Sequence, residues 1–138
     1  MEQHEEHRKN MTKKQKNFSI KNRMQSFKYA FNGLKILLCE ESNAWIHFCI
    51  TICVLVAGFV LKISVGEWIV VVFCIGFVFA LELLNSAIEN MADFVSEEYH
   101  DLIKKTKDLA AGAVLVGAIA SAIIGLIIFV PKIKGLLC

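Results

Sequence analysis

The run WIVVVFCIGFVFALELLNSAIEN, residues 68–90, opens with fourteen uncharged residues and then takes on two glutamates and two asparagines. Its first part has the composition of a bilayer-spanning helix, and its second places ionisable groups at membrane depth. Working outward, apolar blocks at 44–61 and 109–130 flank it, each near the roughly 20 residues that cross a hydrocarbon core. The whole chain agrees: of 138 residues 56 % are hydrophobic, and the mean hydropathy is +0.55. A single domain of this size could not cover so much apolar surface in water. The expectation is an all-α integral membrane protein with three transmembrane helices at 44–61, 68–92 and 109–130.

Charge orients these spans. Nine Lys and Arg residues precede the first span, whereas the next link has only Lys62. The following link has Lys104, Lys105 and Lys107, and the tail has Lys132 and Lys134. The positive-inside rule therefore predicts a multi-pass membrane protein with a cytoplasmic N-terminus and second link. The opening MEQHEEHRKNMTKKQKN is too long and too charged for a signal peptide, so 1–19 is read as a polar tail, solvated or resting on anionic head groups. A net charge of +2 gives no argument for nucleic acid. Cys39, Cys49, Cys53, Cys74 and Cys138 read as small apolar filler rather than metal ligands or disulfides.

Before the first span, Ile20, Met24, Phe27, Phe31, Leu34 and Leu38 recur every three or four positions, with Lys21, Lys28 and Lys35 on the other side. That spacing predicts an amphipathic helix over 20–39, lying in the membrane interface or packed on a partner. ISVGE reads as a short outer turn, and FVSEEYHDLIKKTKD as a polar link that could extend the second span.

On a helix of 3.6 residues per turn, with Glu82 at zero, Glu89 falls at about −20°, Asp93 at about +20°, Asn85 at about −60° and Ser86 at about +40°. All five share one face. Counting from Trp68 as an outer anchor, Glu82 lies roughly 21 Å along and Glu89 roughly 31 Å, in the inner half and at the inner boundary respectively. Like charges on one stripe repel, which a divalent cation or a proton on the deepest acid would relieve. Glu40 and Glu41 stand at the same boundary, as do Lys107 and Asp108 at the start of the third span. Such a gathering suits a magnesium nucleotide meeting a membrane-borne substrate, because Mg²⁺ takes few carboxylates plus phosphate oxygens. A polar helix-helix seam would need no row of acids. A proton or cation transporter could use the same acids, although it would need only Glu82 of them.

LELLNSAIEN followed by SEEYHDLIKKTKDLAAGAVL closely resembles the bacterial diacylglycerol kinase family of small three-span membrane kinases, over about residues 22–131. ESNAWIHF and SAIIGLIIFVPK look most like its Gram-positive branch, which the resemblance implies phosphorylates undecaprenol rather than diacylglycerol. It further implies a homotrimer in the bacterial cytoplasmic membrane, with active sites shared between neighbouring chains at the cytoplasmic boundary, using ATP and Mg²⁺. By that resemblance Glu82 matches the catalytic glutamate, which would take the proton of a lipid hydroxyl. Glu41 and Glu89 match the glutamates that hold the metal of ATP. Lys107, Asp108, Glu98, Tyr99, His100 and Tyr29 match nucleotide-contacting residues, with Asn85 and Asp93 in support.

Departures from the family pattern are few. Asn22 stands where an arginine is expected, with Arg23 beside it, and Ala44 and Trp45 stand where an aromatic and a polar residue are expected. His47 reads equally as an interfacial histidine and as a substrate-selecting residue.

Overall fold

A computed structural model describes residues 20–95 and 100–137. The expected tail 1–19, Glu98, Tyr99 and Cys138 lie outside them. The described residues form four helices and no strand: α1 Ile20–Glu40, α2 Ser42–Val60, α3 Val65–Val95 and α4 Asp101–Leu137. α2, α3 and α4 are each long and apolar enough to cross a membrane. The chain divides into two units, Met1–Gly33 and Leu34–Cys138. In the first, Met24, Phe27 and Phe31 are exposed, and Gln25 Nε2 donates to Tyr29 Oη at 2.9 Å.

In the second unit α3 is the central helix. A third of its most apolar window is buried, against 11 % for α2 and 6 % for α4. Its buried residues, Val71, Cys74, Val78, Glu82, Asn85, Ser86 and Ala92, recur mostly three or four apart, so one stripe faces inward along its whole length. That stripe is apolar in its first half and polar in its second.

The link between α2 and α3 is tighter than a loop. Ile63 N donates to Gly58 O at 3.1 Å and Lys62 N to Phe59 O at 3.3 Å, and Lys62 has φ 49°, which together make a Schellman motif closing α2. Gly58 is required there: a Cβ would lie 2.8 Å from Trp68 Cη2 and 3.2 Å from Ile63 Cδ1. The Trp68 ring, expected as an outer anchor, packs on Phe59 with centroids 4.8 Å apart. α3 then starts with a capping box. Glu67 N donates to Ser64 Oγ at 3.4 Å, and Ser64 N donates back to Glu67 Oε2 at 2.6 Å.

α4 differs most from the sequence expectation. It begins at Asp101, inside the stretch read as a polar link, and continues through Pro131 to Leu137. At about 1.5 Å per residue it is roughly 55 Å long, well beyond a hydrocarbon core of about 30 Å. Its polar first turns therefore stand clear of the apolar layer, where charged side chains cost little. Ion pairs tie α3 and α4 at both ends: Lys107 Nζ to Asp93 Oδ1, and Lys132 Nζ to Glu67 Oε2 at 3.0 Å. The two pairs are about 39 Å apart along α3 and about 38 Å along α4, so the helical hairpin is in register.

Candidate active site

Glu82 is the deepest acid of the stripe, with 2 % of its surface exposed, and Asn85 and Ser86 follow at 6 % each. Burying a carboxylate so completely is unfavourable unless neighbours compensate. His47, from α2, supplies the nearest: its Nε2 lies 3.0 Å from Glu82 Oε1. Even so, among the described residues Glu82 Oε1, like Asn85 Oδ1, receives no well-formed hydrogen bond. The polar half of α3 is thus incompletely satisfied within the chain, as expected of a site that receives a further group.

Glu41 is the one non-helical residue between α1 and α2, in extended conformation at φ −103°, ψ 114°. Its N–H closes α1 by donating to Leu37 O at 3.1 Å. Its carboxylate does not cap α2. It turns instead to α3, where Oε1 accepts from Ser86 Oγ at 2.9 Å. One turn further along α3, Asn85 Nδ2 donates to Glu89 Oε1 at 3.0 Å. Ser86 and Asn85 thus hold these two carboxylates on the face of α3 that carries Glu82. Three acids, two from α3 and one from the junction of α1 and α2, gather at the polar end of the stripe.

Lys107 and Asp93 form an ion pair beyond this cluster, on the more exposed part of α3 and α4. Asp108 is exposed, and exposed His100 precedes α4, its carbonyl accepting from Lys104 N at 3.0 Å. Tyr29 belongs to the first unit and is exposed. The structure therefore brings together Glu41, Glu82, Asn85 and Glu89, and separately Lys107 and Asp93. Two residues enter that were not among the expected site residues. Ser86 was placed on the polar face by its angle, yet only the fold shows it holding Glu41. His47 gave no periodic signal, because its contact depends on the register of α2 against α3. Ala44 is wholly buried, so the aromatic expected there would not fit without moving neighbours.

An apolar cavity of about 530 Å³ lies between α2, α3 and α4 along the apolar half of the α3 stripe and reaches the acids at His47, with Val54, Cys74, Val78, Ala122 and Phe129 among its lining. Its walls suit hydrocarbon. The described residues contain no group of three or more His, Cys, Asp or Glu able to cage a metal. Two carboxylates, Glu41 from the α1–α2 junction and Glu89 from α3, fit instead a magnesium ion that shares its coordination with phosphate oxygens.

A multi-pass membrane protein with a carboxylate cluster at one end and an apolar cavity leading to it is the class that fold and site define. Its family follows from comparison. Residues 28–129 match the family model of prokaryotic diacylglycerol kinase, and the chain belongs to that family. It is 43 % identical over 109 residues to undecaprenol kinase of Bacillus subtilis, covering 79 % of this chain and 89 % of that one. It is 36 % identical over 117 residues to a diacylglycerol kinase of Synechocystis, covering 84 % and 67 % respectively. Diacylglycerol kinase of Escherichia coli K12 is 27 % identical over 95 residues, covering 69 % and 78 %. The protein is a lipid kinase.

Proposed function

We propose that this chain transfers the terminal phosphate of ATP to undecaprenol, giving undecaprenyl phosphate for cell-wall precursor synthesis. The observation that carries the reading is Glu82, buried with an oxygen lacking a donor, beside an apolar cavity whose lining includes its neighbour His47. Similarity to an undecaprenol kinase over most of both chains supports the choice of lipid.

In this mechanism the isoprenoid tail occupies hydrocarbon surroundings and its terminal hydroxyl reaches Glu82. Glu82 accepts the hydroxyl proton as the oxygen bonds to the terminal phosphorus, and the bond from that phosphorus to the bridging oxygen breaks, releasing ADP. Glu41 and Glu89 would hold Mg²⁺ with the phosphate oxygens, the ion offsetting phosphate charge when bound. Ser86 and Asn85 fix the directions of those two carboxylates. Lys107 leaves Asp93 for the nucleotide phosphates, with Asp108, Glu98, Tyr99, His100 and Tyr29 as further nucleotide contacts. Alignment and electrostatics supply most of the acceleration.

The active assembly is a homotrimer with its N-terminus in the cytoplasm of a bacterial cell, and α1 lies in the inner interface with Met24, Phe27 and Phe31 toward lipid. The test is magnesium-dependent transfer of labelled phosphate to undecaprenol and to diacylglycerol, side by side in mixed micelles, with Glu82→Gln as control. Faster labelling of undecaprenol, lost in the variant, supports the reading. Preference for diacylglycerol reassigns the substrate, and transfer to neither overturns the kinase reading.

A further inference from the structure

The geometry points to His47 as the positioning residue for Glu82: its imidazole holds one carboxylate oxygen so that the other faces the lipid hydroxyl. This rests on the kinase reading above and adds a residue to it. α2 and α3 run antiparallel here and meet at two polar contacts, Glu41 with Ser86 and His47 with Glu82, about one turn apart on α3 and nearly two on the α2 side. Ala44, wholly buried, lies between Glu41 and His47 on α2, with no side chain beyond Cβ to hold the helices apart. The imidazole is thus carried on a helix and not on a loop.

Three observations give that contact a task. Glu82 Oε1 is buried without an aligned donor, and His47 Nε2 already stands at hydrogen-bonding distance, 3.0 Å. Turning the ring completes the bond without moving either backbone. The His47 side chain is 19 % exposed against 3 % for Glu82, and His47 lines the apolar cavity whereas Glu82 does not. A hydroxyl arriving through the cavity therefore meets the imidazole on its way to the carboxylate. A general base is effective when a third group fixes its orientation, and a misplacement of about 1 Å can cost about 100-fold in rate. His47 donates in its neutral or its protonated form and is not consumed, so it acts through Glu82 and not on the phosphate.

The test compares His47→Leu, His47→Gln and His47→Asn in the full-length protein, purified in detergent and assayed in micelles with magnesium ATP and undecaprenol. Leucine keeps apolar bulk without a donor, glutamine places an amide N–H near the Nε2 position, and asparagine is one methylene too short to do so. The expected result is a kcat about tenfold or more lower in H47L with KM for ATP unchanged, most of that loss recovered in H47Q, and none recovered in H47N. H47L as active as wild type, or H47Q as slow as H47L, overturns the positioning role. Should H47L fail to give a folded peak on size exclusion, the other pair decides, and equal activity of H47N and H47Q overturns the proposal. Wild-type protein that labels neither undecaprenol nor diacylglycerol sinks the kinase reading itself, before any variant is compared.

Discussion

Ser86 shows how small a group can hold the cluster together. Its hydroxyl is the donor that turns Glu41 away from capping α2 and toward α3, and a hydrogen bond to a charged partner contributes about 1.5–3 kcal/mol. Ser86→Ala should leave Glu41 free to swing, raising KM for magnesium ATP by about tenfold with a smaller change in kcat, as titrations of velocity against nucleotide at fixed magnesium would show. Glu82→Gln removes the proton acceptor while keeping shape. It should lower kcat by about 10²–10⁴-fold with the size-exclusion profile unchanged. The alignment of Glu82, Asn85, Ser86 and Glu89 could be read from 3.6-residue periodicity alone. The Glu41–Ser86 and His47–Glu82 contacts could not, since they depend on how far α2 slides along α3, and no repeat within either helix encodes that offset.

Lys62 is the residue to test among the elements. It sits at φ 49°, a region that costs a side chain about 1–2 kcal/mol and glycine very little. Lys62→Gly should therefore raise stability by up to about 1 kcal/mol, and Lys62→Val should lower it by more than that. Thermal unfolding followed by circular dichroism in detergent would rank the three proteins. The same turn illustrates what the sequence withheld. Three spans were legible because each apolar run is long enough to cross a bilayer and is bounded by charge. The true ends of α4 were not, because Asp101, Lys104 and Lys105 lie outside hydrocarbon, where helix and coil are nearly equal in cost and hydropathy is silent. Pro131 lies inside α4, where its missing N–H forfeits only one bond near the end of a long helix that Lys132 anchors to Glu67.

Three crossings place the two ends of the molecule on opposite faces of the membrane, with the carboxylate cluster at the end where α1 meets α2 and the Lys62 turn at the other. With the N-terminus inside, a cysteine introduced at Lys62 in a variant lacking the native thiols should react with a membrane-impermeant maleimide added to intact cells. One introduced at Lys107 should react only after lysis. Labelling of both from outside, or the reverse pattern, would overturn the orientation.

The uneven burial of the three spans also bears on inheritance. α2 and α4 turn most of their apolar surface outward, while α3 hides a stripe that is greasy for half its length and acidic for the rest. A library of random single substitutions, sorted by survival of lipid phosphorylation, should therefore let one aliphatic residue stand in for another over much of α2 and α4. Along the α3 stripe the alphabet should narrow almost to the residues now present, so that the history of such a protein is written in one helix and largely erased from its neighbours.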